Sequence, residues 1–244
     1  MKEKIIAFIS RYPILHSLSK KTYWAVLGIL AVIAGASMAR RRWLGRSREE
    51  VAKDLENLNH PHRAFLAKKI AAAGPFESVL EAGCGYGANL YWLAREFPQA
   101  RLTGIDLDPR SIEQGRRLFV KNNLTNVELA AMKMTELDKI PDKSYDAVFT
   151  DAVLLYAGPE IIENVIGNLL RIARKSLFLL EWHSDSARGR GEYWRGCWRR
   201  DYRRLLGKYV AADKITAEKI PADVWPDKNW QEAGYLVSVK NIEI

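Results

Sequence analysis

The sequence predicts an α/β protein: a doubly wound, mostly parallel seven-stranded sheet preceded by an apolar N-terminal helix. Two observations carry the sheet. From residue 78 onward, short apolar runs alternate with stretches of helical periodicity, the pattern of strands joined by helical crossovers. The first of those runs ends in an acid and is followed by glycines at alternate positions, Gly83, Gly85 and Gly87. A strand that must turn sharply and let a ligand reach its backbone needs residues without a Cβ. The third observation concerns the arm: Thr22 to Ala39 is 18 residues without a charge, between Lys20-Lys21 and Arg40-Arg41-Arg42.

Taken in order, the arm comes first. As a helix, residues 22–39 would measure roughly 27 Å against a hydrocarbon layer of about 30 Å, and basic flanks can snorkel to close the gap. Tyr23, Trp24 and Trp43 suit the interfaces. The chain is therefore divided into a membrane-anchor arm, 1–45, and a globular domain, 46–244. Charge supports the division. Residues 1–53 hold 11 Lys/Arg against 3 Asp/Glu, nearly all of the +9 net charge of the 244-residue chain. An excess beside an apolar run marks a membrane flank, whereas a nucleic-acid enzyme spreads basic residues over its working surface. Nucleic acid is thus an unfavoured partner. Two cysteines, Cys84 and Cys197, are too few for a disulfide framework or a cysteine metal cluster.

Arg46 to Ala73 has helical spacing broken at Asn59-His60-Pro61, and Gly74-Pro75 ends it. Strands are expected at 78–82, 101–106, 127–131, 145–150, 176–182, 214–220 and 236–242. Helices are expected at 89–97, 111–122 (with Ser111 as its cap), 161–173 and about 198–206.

In open α/β sheets the ligand sits at the carboxyl ends of the strands, where the strand order reverses. The glycines follow the first strand. Asp106 ends the second, where a carboxylate can accept both hydroxyls of a ribose. Nicotinamide-binding domains share this device, and Gly83 to Ala88 also satisfies G-x-G-x-x-A. An NAD(P)-dependent oxidoreductase is therefore the alternative. Against it, Glu81 precedes the glycines by two residues, the fourth strand runs Tyr145-Asp146 into Asp151 to Tyr156, and no second domain follows to hold a hydride acceptor.

From about His62 to the C-terminus the sequence resembles the class I S-adenosylmethionine-dependent methyltransferases, through VLEAGCGYGAN, LTGIDLDP and YDAVFTDAVLLY in that order. The resemblance implies a Rossmann-like fold, S-adenosyl-L-methionine as cofactor and methyl transfer as the activity. It implies that Gly83, Gly85 and Gly87 approach the methionine moiety with Glu81 close by. By the same resemblance Asp106 holds the ribose, Leu107 packs on adenine, and Asp151 borders the methionine end and the acceptor. Many relatives carry an acid after the third strand that bonds the adenine amino group. Here Ala131-Met132-Lys133 stands instead, and Met132 is expected to pack on the ring.

Methyl transfer from a sulfonium needs alignment and exclusion of water, and a hydroxyl acceptor also needs a base. Candidates at the strand ends are Asp151, Tyr156, Glu181 and His183, with His60 and His62 from upstream. His183 directly follows the fifth strand and is the expected general base. Asp151 and Tyr156 complete the expected catalytic set. The His and acid spacings match no metal motif, so no metal is expected. Arg188 to Lys208 contains 8 Lys/Arg interleaved with Tyr193, Trp194, Trp198 and Tyr202, a possible collar for phosphates. The expected protein is a membrane-anchored methyltransferase facing the cytoplasm, acting on a small-molecule or lipid-linked acceptor. A tethered scaffold without turnover is the non-enzymatic alternative.

Overall fold

The computed structural model describes Ser47, Glu49, residues 54–195 and residues 197–242. The expected helix at 22–39 and the boundary between arm and domain lie outside the described residues. Among the described residues, no helix is long and apolar enough to cross a membrane.

Seven strands form one sheet: β1 (Ser78–Ala82), β2 (Arg101–Asp106), β3 (Val127–Ala131), β4 (Tyr145–Asp151), β5 (Ala173–Trp182), β8 (Ile215–Lys219) and β9 (Gly234–Lys240). Their order is β3-β2-β1-β4-β5-β9-β8. The first five pair in parallel, and β9 alone runs against its neighbours, so the sheet is mixed. A separate hairpin joins β6 (Glu192–Trp194) to β7 (Cys197–Arg199). The helices are α1 (Pro61–Ala71), α2 (Ala88–Glu96), α3 (Pro109–Lys121), α4 (Ile162–Ile172), α5 (Tyr202–Leu206) and α6 (Lys228–Ala233).

Burying both faces explains the near-continuous apolar strands. On one face Leu80, Val148, Leu177 and Leu179 pack under α4 and α5; on the other Val79, Leu102, Phe149, Phe178 and Leu180 pack under α1, α2, α3 and α6. The two-residue alternation also assigns the acids. Glu81 is opposite Phe149 in the β1–β4 register, so Glu81 and Asp151 share the α1/α2 face. Glu181 shares the α4 face with Leu177 and Leu179. Strand order reverses between the parallel neighbours β1 and β4: β1 leads to β2 on one side, and β4 lies on the other. This opens a crevice at their carboxyl ends.

Three local expectations are corrected. Helix α3 is capped by Asp108, whose Oδ1 accepts the Arg110 N–H at 3.1 Å, with Pro109 in its first turn. A proline preset for the first helical position starts the helix before Ser111 can cap it. Residues 198–206 are not one helix. Trp198 packs edge-on against Tyr193 across the hairpin, and only Tyr202–Leu206 is helical, beginning at the Asp201 cap. Strand β5 starts at Ala173, three residues earlier than expected, because β4 pairs with it from Tyr145.

Candidate functional site

The glycine loop is fixed from below and open above. Gly83 and Cys84 both donate to the Ile105 carbonyl, at 2.7 and 2.9 Å, tying the loop to β2. At Gly83 (φ +84°) a Cβ would lie 2.4 Å from a Val153 methyl. The turn after β4 is therefore seated directly against the loop. At Gly85 (φ +55°) a Cβ would meet nothing within 4 Å. The left-handed backbone demands glycine there, and the space in front of it belongs to no side chain of the described residues. Gly87 begins α2.

Asp106 stands at the end of β2, buried, with Oδ2 accepting the Gly85 N–H and Oδ1 the Asp108 N–H, each at 2.9 Å. It links the loop to the strand on which a ribose would rest. Leu107 beyond it is 38% exposed. Met132 is half-buried, and its N–H donates to the Asp106 carbonyl at 2.9 Å.

Two buried carboxylates face each other across β1 and β4. Asn89 bridges them, donating to Glu81 Oε1 at 2.6 Å and to Asp151 Oδ2 at 2.9 Å. The Arg63 guanidinium donates to the Asn89 oxygen at 3.0 Å, which turns the amide so that both its hydrogens point at the acids. His62 Nε2 lies 3.0 Å from Asp151 Oδ2. One oxygen of each acid, Glu81 Oε2 and Asp151 Oδ1, is buried without a hydrogen-bond partner. Burial pushes the Glu81 carboxyl well up, aided by the Asp151 charge and opposed by Asn89. Burial works in the same direction on Asp151, but His62, Arg63 and Asn89 outweigh it and hold that carboxyl below its ordinary value.

The other half of the strand-end region is organised differently. Glu181 lies on the opposite face and accepts from Thr150 Oγ1 (3.0 Å) and from the backbone N–H groups of Val153 (3.1 Å), Leu154 (3.0 Å) and Leu155 (3.3 Å). Burial raises its pKa to about 7 against those bonds. Arg200, fully buried, donates to the carbonyls of Leu154 (2.8 Å), Ala157 and Arg190 (3.0 Å). A carboxylate at the amide end and a guanidinium at the carbonyl end thus clamp the 3₁₀ turn Leu154–Tyr156, matching its dipole. Tyr156, at the end of this turn, is 40% exposed.

His183 does not meet the expectation of a free base. Its Nδ1 accepts the Tyr202 N–H at 3.2 Å, its Nε2 is 3.0 Å from Asp185 Oδ1, and 2% of it is exposed. Both ring nitrogens are engaged, so the ring anchors α5 to β5. The structure brings Glu81, the glycines, Asp106 and Asp151 together, and joins His62 to them. Asn89 and Arg200 were not anticipated. Asn89 was legible in one respect, as a polar residue two positions after the last loop glycine on a helix about to be buried. The basic collar is largely matched internally: Arg199 with Glu192, Arg195 with Glu232, and Arg190 and Lys208 with Glu163.

Residues 79–176 match the family model described as "Methyltransferase domain". The fatty-acid O-methyltransferase of Mycolicibacterium smegmatis is 34% identical over 94 residues, 38% of this chain and 33% of that protein. The arsenite methyltransferase of Halobacterium salinarum is 32% identical over 110 residues, 44% of this chain and 27% of that protein. The chain therefore spans about a third or less of these curated relatives. The geranyl diphosphate C-methyltransferase of Streptomyces coelicolor A3(2), solved with Mg2+, geranyl diphosphate and S-adenosyl-L-homocysteine, shares the fold. Its TM-score is 0.60 at 16% identity, covering 80% of this chain and 84% of that one. Over residues 79–176 the chain thus matches a methyltransferase domain, and its fold is the one seen in a methyltransferase solved with S-adenosyl-L-homocysteine.

The residues present fit S-adenosylmethionine. An ammonium and a sulfonium are cations, and two buried carboxylate oxygens without partners stand beside the open crest at Gly85.

Proposed function

We propose that this chain, whose residues 79–176 form a class I S-adenosylmethionine-dependent methyltransferase domain, transfers a methyl group to a small-molecule acceptor. The observation that carries the reading is the pair of unpartnered buried oxygens, Glu81 Oε2 and Asp151 Oδ1, beside an unfilled Gly85 crest. When bound, the cofactor supplies a sulfonium methyl, already activated toward attack. The chain's own residues bind and orient. Glu81 and Asp151 take the methionine end over Gly83, Gly85 and Gly87. Asp106 takes the ribose, while Leu107 and Met132 enclose the adenine. Asp151 and Tyr156 border the acceptor, and His183 supports that wall from behind through α5.

The acceptor is read as apolar or lipid-linked, and the domain as anchored at the cytoplasmic face of a membrane. That finer reading rests on the uncharged stretch 22–39 with its basic flanks, and on the fatty-acid and geranyl diphosphate chemistry named for similar proteins. Titration calorimetry of the full chain tests the cofactor site. Tight binding of S-adenosyl-L-homocysteine is expected, weakened about 10- to 150-fold by Asp106→Asn through loss of a charged acceptor worth about 1.5–3 kcal/mol. Binding of NAD in its place would overturn the reading.

A further inference from the structure

Glu81 and Asp151 stand on neighbouring strands and share one hydrogen-bond donor. Both accept from Asn89 Nδ2, at 2.6 and 2.9 Å, so the two bonded oxygens lie within about 6 Å of each other. Their surroundings are unequal. Asp151 Oδ2 also has His62 Nε2 at 3.0 Å and an Arg63 nitrogen at 3.9 Å, which puts the cationic side of the site against Asp151. Glu81, 1% exposed, has the neutral Asn89 amide as its partner, and its Oε2 is bonded to nothing among the described residues. The ionisable groups facing it are Asp151 from β4, Arg63 from α1, Asp106 from β2 and Cys84 from the glycine loop. Of these four, Arg63 alone is positive, and it reaches the pair through Asn89 Oδ1. Burial and the Asp151 charge therefore push the Glu81 carboxyl well above the ordinary range, against Asn89 and Arg63. Burial opposes ionisation of Asp151 too, but His62, Arg63 and Asn89 outweigh it.

Resting on the cofactor reading above, we propose that the pair keeps one proton in the ligand-free chain, on Glu81 Oε2, and that the ammonium of the methionine end displaces it. The exchange balances without a co-reactant. The O–H bond of Glu81 breaks with its electron pair left on Oε2, and the proton passes to solvent. An N–H of the ammonium then donates to the freed oxygen. Two like charges buried this close disfavour each other, and one retained proton relieves the repulsion. An entering cation relieves it equally well. A ligand without a cation at that end leaves the proton in place and gains no ion pair from the acid. Glu81 is thus a selector for a charged amine. The coupling to pH has a fixed sign. Where one proton is released, affinity rises with pH by up to about tenfold per unit. The gain is complete above the pKa of Glu81 in the ligand-free chain and is lost as pH falls below it.

Calorimetry of the full chain in buffers of different ionisation enthalpy counts the proton directly. Over about pH 5 to 7, S-adenosyl-L-homocysteine should release a maximum of about 0.5 to 1 proton per molecule bound. Its α-amine, with a pKa of about 8, is charged throughout that range, and it carries no sulfonium. Glu81→Gln should cut the release at least about threefold. 5′-Methylthioadenosine, which keeps the adenosine and the sulfur but has no ammonium, should bind without release. The second measurement needs no variant. In a chain labelled with ¹³C at the glutamate carboxyls, a resonance at the protonated position at about pH 6 should move to the ionised position with S-adenosyl-L-homocysteine. That of Glu181, which the chain itself saturates, should stay. No release by wild type, equal release from Glu81→Gln or with 5′-methylthioadenosine, or no carboxyl resonance that responds to ligand overturns the proposal. Failure of wild type to bind S-adenosyl-L-homocysteine at all would instead remove the cofactor reading on which the proposal stands.

Discussion

Three buried carboxylates stand at the carboxyl ends of neighbouring strands, and two of them differ in kind from the third. Glu81 and Asp151, on the α1/α2 face, each keep an oxygen without a partner. Glu181, on the α4 face, receives one hydroxyl and three backbone amides. An unsatisfied buried acceptor is costly to a fold, whereas a saturated one organises it. The contrast separates a region left incomplete for a ligand from one completed by the chain itself. It also separates His62, whose partners lead into the pocket, from His183, whose partners lead into α5.

Substitutions can break this contrast. The largest effect is expected from Glu181→Ala, which strands three amides and a hydroxyl; the folded state should lose about 3–5 kcal/mol in urea unfolding. The same variant carries a pH signature. With a folded pKa raised to about 7, against an unfolded value of about 4.3 for a glutamate, the folded state holds the extra proton between those limits. The contribution is complete below the lower limit and lost as pH rises through the upper. Wild type should therefore become less stable from pH 5 to 7, and Glu181→Ala should flatten that slope.

Glu81→Gln should act with the opposite sign. Replacing an acid whose ionised form burial disfavours should stabilise the ligand-free chain by about 1 kcal/mol and weaken S-adenosyl-L-homocysteine binding at least about tenfold. A variant that is both less stable and unimpaired in binding would erase the distinction between the two acids. An effect of similar size on the fold, but of opposite sign, is expected from Gly85→Ala. Its left-handed backbone costs about 1–2 kcal/mol with an added Cβ that touches no protein atom, so any larger penalty should appear in cofactor affinity. Thermal unfolding with and without ligand separates the two.

The half of the sheet from β1 to β4 was legible because its information is local. Glycines, a terminal acid and apolar runs are each readable within a few residues, and Asp106 lies where the end of β2 required it. The helix expected at 198–206 failed because the hairpin of Tyr193 and Trp198 is made by cross-strand packing, and Arg200 is held by carbonyls more than 40 residues away in sequence. His183 was misjudged for the same reason. Its position after β5 was visible, but the Tyr202 amide that occupies its Nδ1 was not. The link from His62 to Asp151 spans 89 positions and no spacing rule reports it.

The clamp on the turn after β4 also sets a clock. Amides of Val153, Leu154 and Leu155 that donate to a buried carboxylate can exchange with solvent hydrogen only when that segment opens as a unit, which places them among the slow exchangers of the domain. A wall that rarely opens is a poor doorway. Hydrogen exchange would then rank this turn against the Trp225 loop, which meets His62 through stacked rings rather than through a buried carboxylate.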